Sequence, residues 1–211
     1  MAKMILTVII SVICSILSVV LLLPVFVASR EKITDKDFVR KQYEVQQQKV
    51  WTLVAEDIEK YGIDIYILFC DITQHRRQGP DSDFGADKSF KKLEVTYPES
   101  NTYKIALALK NYKAIINRDM ICIERVISEI PSDGKTSLLP NGLELEPLLY
   151  IAMYNYHLRT KRFNVAYSHL KVLEEKYADS LICISENNVI FIKDWLAQQK
   201  QIADALEKYN R

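Results

Sequence analysis

From Met4 to Ser29 the chain carries no charged residue. A helix rises about 1.5 Å per residue, so crossing a hydrocarbon core of about 30 Å takes about 20 apolar residues. Ile5 to Leu23 nearly satisfies that alone, and Pro24 to Ala28 extends it. The reading is a single transmembrane helix over 1–29, retained as an anchor. The rival is a cleaved signal peptide, with Lys3 as its basic start and Val27-Ala28-Ser29 as a small-residue cleavage site. The apolar core of such peptides is about 7–15 residues, shorter than this run. A lipoprotein signal is not in view, because Cys14 follows Val12-Ile13 in mid-stretch.

Charge assigns an orientation. Arg30, Lys32, Lys36, Arg40 and Lys41 follow the apolar run, whereas Lys3 is the one basic side chain before it. Basic flanks stay on the cytoplasmic side, so the expected location is a single-pass membrane protein with a cytoplasmic C-terminal domain. An extracytoplasmic domain, secreted or anchored, is the alternative. Beyond the apolar run the cysteines are Cys70, Cys122 and Cys183, widely spaced and in apolar surroundings. That pattern fits buried thiols in a reducing compartment better than a disulfide framework. With Lys3 set aside, the remaining 27 basic residues balance 27 acidic ones. A neutral domain has no general pull on phosphates, so no nucleic-acid partner is expected.

Only five glycines occur, each at a plausible break, which favours helices. Thr34-x-x-Asp37 resembles a capping box, and Val39, Tyr43, Val50, Val54, Ile58 and Tyr61 predict a helix over about 35–61, stopped by Gly62. Residues 64–72 are rich in β-branched side chains, yet Ile65, Leu68, Phe69 and Ile72 keep helical spacing. His75-Arg76-Arg77, then Gly79-Pro80, are helix-stop signals. A helix is preferred there and a short strand is the alternative. Turn chemistry over 79–100 predicts a long loop with a short strand near 92–97. A stripe from Ile105 through Leu109, Tyr112, Ile116, Met120, Ile123 and Ile127 to Ile130 predicts one helix over 102–130. Residues 131–144 read as a hinge loop. Residues 145–159 are apolar nearly all round, which implies a buried helix. Phe163, Ala166, Leu170, Leu173 and Tyr177 face one side of the next helix, and Phe191, Trp195, Ile202, Leu206 and Tyr209 line a last one over 187–209. Residues 179–185 between them are a short strand or the start of that helix. The expected fold is therefore mostly α. An anchor at 1–29 precedes a helical region at 30–130, a hinge, and a C-terminal helical hairpin with a last amphipathic helix at 145–211, together a soluble bundle of antiparallel helices.

Motifs that would carry chemistry are incomplete. Asp133 to Ser137 contains Gly-Lys-Thr, but a phosphate loop needs another glycine five residues earlier and a preceding strand; position 129 is Glu. Asp81, Asp83 and Asp87 are oxygen ligands without calcium-loop spacing, since the glycine falls one place early and the twelfth position is Lys92. His75, His157 and His169 have no His or Cys three or four residues away, as a local metal pair would require. No catalytic residue, metal or cofactor is assigned, and the chain reads as a binding protein rather than an enzyme. An enzyme with a non-local site near 75–100 is the alternative.

Residues 147–178 resemble a single tetratricopeptide helical hairpin. Tyr150 takes the large-aromatic position, Phe163 the aromatic before the second helix, Ala166 the small close-packing residue and Leu170 the apolar position after it. Tyr154 stands where the first helix has a small residue, and Ala178 where the pattern ends in proline. There is no second copy, and such repeats bury a core by stacking at least about three units. The resemblance implies an antiparallel helix pair.

Within the apolar run, Thr7, Ser11, Cys14, Ser15 and Ser18 recur at helical spacing. At about 100° per residue all five fall in a sector of about 100°. Small residues allow close helix approach and hydroxyls bond across the contact, so these five are the candidate membrane-helix interface, toward a protein partner or a second copy. The alternative is that each hydroxyl bonds its own i−4 carbonyl and faces lipid. If the stripe is an interface, Ser11→Leu with Ser15→Leu weakens association by about 1–2 kcal/mol. Val12→Leu and Leu17→Ile, on other faces, leave it unchanged. A membrane-association assay of the segment and of the intact complex checks this, and equal association in both settings assigns the stripe to lipid.

Overall fold

In a computed structural model of the chain the described residues are 36–74, 83–130, 137–185 and 188–209. The expected anchor at 1–29 lies outside them. Among the described residues no helix is long and apolar enough to cross a membrane. The chain divides into two units, Met1–Gln42 and Tyr43–Arg211. The first contributes helical residues 36–42; all packing described below belongs to the second.

Helix α1 covers residues 36–61. Val50 and Val54 are buried on the face the sequence marks, with Leu53 and Ile58 packed beside them. Gly62 ends α1 at φ +89°, its N–H donating to the Ile58 carbonyl at 2.8 Å. α2, Asp64–Gln74, buries Ile65, Leu68, Phe69 and Ile72. The strand alternative near 64–72 is thus overturned, because the 3–4 spacing presents one continuous face to the core.

The long loop expected at 79–100 is also corrected. Residues Asp83–Thr96 form α3, and 92–97 is no strand. Ala86, Phe90 and Leu93, spaced by four and three, are buried, and Phe90 and Leu93 pack against Ile65, Leu68 and Ile72 of α2 and Ala106 and Leu109 of the following helix. Packing of that stripe outweighs the turn propensity of Gly85 and its aspartate neighbours. Pro98 then stops α3, since the residue before proline avoids the α region.

The single helix expected over 102–130 is two. α4, Asn101–Asn117, ends where Arg118 turns left-handed at φ 56°. Asp119 N–H donates to Ala114 O at 2.9 Å and Arg118 N–H to Ile115 O at 3.2 Å, the paired bonds of a Schellman stop. Asp119 then caps α5, Met120–Ser128, its carboxylate accepting from Cys122 N–H at 3.0 Å. Asn and Asp compete for backbone bonds in a helix interior, so Asn117-Arg118-Asp119 breaks a stripe whose apolar spacing runs straight through.

Of the expected hinge, residues 137–144 are described, and they form a folded strap. Leu139 N–H donates to Leu143 O at 2.8 Å, Leu138 bridges to Glu144, and Leu139 and Leu143 are buried. Two apolar anchors and a backbone bridge fix this part, which is the reverse of a hinge. α6, Leu145–Arg159, is buried on most of its circumference, as its composition implies. Lys161 at φ 60° makes a second Schellman stop, with Arg162 N–H on His157 O at 2.8 Å and Lys161 N–H on Leu158 O at 3.2 Å. α7, Phe163–Lys176, returns antiparallel along α6.

Residues Leu181–Ser185 (β1) pair antiparallel with Asn188–Phe191 (β2), with an irregularity between Cys183 and Ser185. These two strands take the first turns of the helix expected from 187, so α8 covers Ile192–Tyr209. Tyr154, Ala166, Leu170, Leu173, Ile182, Ile192 and Leu196 close the C-terminal core. Fully burying side chains of this size stabilises by roughly 1.5–3 kcal/mol each.

Gly142 decides how the strap meets α1. Its φ is +85°, and a Cβ there would stand 2.8 Å from the Gln47 amide nitrogen and 2.9 Å from the Gln46 carbonyl carbon. Gly62 has a similar φ but nothing within 4 Å. Gly62→Ala should therefore cost only the left-handed strain, about 1 kcal/mol. Gly142→Ala adds a backbone clash and should cost roughly 2–4 kcal/mol. Urea midpoints of the two variants check the ranking.

Candidate functional site

The polar and aromatic side chains that the fold brings together lie along the α6–α7 hairpin. Glu146, Tyr150 and His157 follow one another on α6 at helical spacings of four and seven, and the hairpin sets His169 of α7 and Tyr177, its C-cap, against them. The Tyr150 ring centroid is 5.9 Å from that of Tyr177 and 5.9 Å from that of His169. His157 and His169 stack nearly parallel, 12° apart with centroids at 5.4 Å. Tyr156 stands edge-on to His157 at 5.2 Å, and Tyr154 edge-on to Trp195 of α8 at 5.8 Å.

Glu146 anchors one end. It lies in the first turn of α6, is buried, and both its carboxylate oxygens accept from the Ser137 N–H, at 2.8 and 2.9 Å. Ser137 O in turn accepts from Leu145 N–H at 2.9 Å, so the strap is tied to the helix start in both directions. A carboxylate there also suits the positive end of the helix dipole. One residue before α6, Glu144 accepts a short hydrogen bond from the Ser180 hydroxyl, joining the strap to the start of β1.

Burial governs the protonation of the whole line. It raises the Glu146 carboxyl, and the Ser137 donor offsets this only in part. It raises the phenols of Tyr150 and Tyr154, and pushes Tyr177 up to about 12, with Glu146 adding to the effect. It lowers His169; His157 pushes the same way, and Glu124 of α5 opposes. His157 Nδ1 and His169 Nε2 are buried and have no hydrogen-bond partner. Ring contacts connect the Tyr150 and Tyr177 phenols to the His169 and His157 imidazoles.

Two cavities flank the helices. One of about 30 Å³ is lined by Ile72, Ala86, Phe90, Ala106 and Leu109. The other, about 130 Å³, is lined by Thr73, Leu109, Tyr112, Leu139, Pro140 and Asn141. Both are well below the roughly 300–1,000 Å³ of small-molecule sites.

The candidate membrane interface, Thr7, Ser11, Cys14, Ser15 and Ser18, lies outside the described residues, as do His75, Asp81 and residues 133–136. Asp83 falls in the first turn of α3 and Asp87 is exposed one turn on. Among the described residues no group of three or more His, Cys, Asp or Glu side chains could hold a metal ion. The three described cysteines are free, and none is buried as expected: Cys70 and Cys122 are half-buried and Cys183 is exposed. In the hairpin that resembles a tetratricopeptide unit, Ala166 is buried at the close-packed position, but Phe163 is 46% exposed. The sequence reading missed Glu146, the tyrosine pair and the contact of the two histidines. Compared with protein-family models, with curated proteins and with solved structures, the chain shows no match.

Tyr177 gives an alkaline signature. A phenol raised in the fold contributes stability that is fully present below its unfolded value of about 10. That contribution is lost as pH rises from there through about 12. The unfolding midpoint should drop across this window, and Tyr177→Phe should flatten the drop. Thermal melts between pH 9 and 11.5 check it.

Proposed function

We propose that the chain is a single-pass, membrane-anchored helical module that binds other proteins, an accessory or adaptor subunit of a membrane-associated complex with its C-terminal domain in the cytoplasm. The observation that carries this reading is the uncharged run from Met4 to Ser29 with its basic flank from Arg30 to Lys41. Two further observations support it. The described cavities are too small for a substrate of ordinary size. The hairpin also leaves Phe163, Val165 and Tyr167 exposed along the start of α7, and large apolar and aromatic side chains of this kind are what protein interfaces bury. Candidate contacts in the membrane are Thr7, Ser11, Cys14, Ser15 and Ser18.

A compartment-specific reporter fused after Arg211 tests the topology. Activity of a cytoplasm-only reporter is expected, and a mature N-terminus at Arg30 by mass spectrometry would overturn the anchor. Purification of the full chain in mild detergent tests the binding role. A stoichiometric protein partner or a second copy is expected, and Phe163→Ser with Tyr167→Ser should reduce its recovery by roughly tenfold, the weight of one or two interface anchors. A protein that purifies alone as a monomer at every detergent concentration overturns the reading.

A further inference from the structure

His157 lies in the last turn of α6, where the helix dipole favours a cation. It is nevertheless 4% exposed, and its Nδ1 has no partner. His169, across the hairpin on α7, is half-buried, and its Nε2 is also without a partner. An imidazolium must donate from both ring nitrogens. Each ring therefore has one buried nitrogen at which a second proton would point at no acceptor. The rings also stack at 5.4 Å, so a charge on one opposes a charge on the other.

We propose that the His157–His169 stack is an acid-sensitive latch on the α6–α7 hairpin, holding the turn end of the hairpin closed around two neutral imidazoles and releasing it when either ring takes a second proton. The electrostatics agree with the geometry. His169 is lowered by burial first and by His157 second. The group that opposes these is Glu124, brought up by α5, the helix packed against α6. On α6 itself the titratable neighbours are the phenols of Tyr150 and Tyr156, and on α8 Lys200 is held by Glu174 at 2.6 Å. A histidine depressed in the fold contributes stability that is complete above its unfolded value of about 6.5 and is lost as pH falls below it. Glu146 has the opposite sign. Raised in the fold, it favours folding at low pH and loses that contribution as pH rises from about 4.5. It sits eleven residues from His157, about 16 Å along α6, so the two effects separate by position. The latch stands whether or not the hairpin binds a partner.

Hydrogen exchange of the full chain in mild detergent, at pH 7.5 and 5.5 with times scaled for intrinsic exchange, tests it. Acidification should cost peptides spanning 153–172 about tenfold more protection than peptides from α2 and α3. The double variant His157→Phe with His169→Phe keeps stacked rings that cannot titrate, and should abolish the difference. A uniform loss across the chain, or the same local loss in the double variant, overturns the latch. Should that variant not fold, histidine C2-proton titration of the wild type decides, with His75→Gln to assign the third ring. An apparent value for His169 at or above about 6.5 overturns the proposal; a value below it, moved by replacing His157, supports it.

Discussion

One carboxylate holds the N-terminal half of the domain together. Asp57, on the buried side of α1 and 4% exposed, accepts from the Thr102 amide at 2.6 Å and the Thr102 hydroxyl at 2.7 Å. The first turn of a helix has amides with no internal partner. In α4 the local cap, Ser100, takes the Tyr103 N–H at 3.0 Å, and Asp57 takes the amide next to it from 45 residues away. The bond fixes α1 across the start of α4 and closes a loop that contains α2 and α3. Without it a buried amide and hydroxyl lose their acceptor, at a cost of roughly 1–3 kcal/mol for each group left unsatisfied. The Ile65–Leu68–Phe90–Leu93 cluster lies inside that closure, so its packing depends on α1 and α4 being held in place.

The legible parts of the fold were those where local chemistry and tertiary packing agree. Gly62 after a clean apolar face gives the end of α1, and the buried circumference of 145–159 gives α6. The parts that were not legible are places where the two disagree. Asp81, Asp83 and Gly85 carry turn propensity, but Ala86, Phe90 and Leu93 form a stripe just wide enough to bury, and α2 and α4 supply the surface that decides for helix. At Asn117–Asp119 the conflict runs the other way. Apolar spacing continues across the break, and only the poor helix chemistry of Asn and Asp marks it. Asp57 itself gave no signal, because an aspartate beside an apolar face looks like a surface residue until its partner is in place.

The candidate site was partly legible for a geometric reason. In a helical hairpin the two helices bring residues far apart in sequence face to face, here His157 with His169 and Tyr150 with Tyr177. Looking for histidine neighbours three or four residues away is a search within one helix and misses a pair made between two. The unpartnered nitrogens and the depth of Glu146 depend on side-chain placement and leave no mark in the residue order.

The two closures described above differ in the length of chain they enclose. The α6–α7 hairpin joins across residues 160–162, whereas the Asp57–Thr102 contact spans 45 residues. Closure entropy grows with the logarithm of loop length, so the longer loop costs about 2 kcal/mol more to close. Release of α1 from α4 therefore returns more chain entropy than opening the short α6–α7 turn.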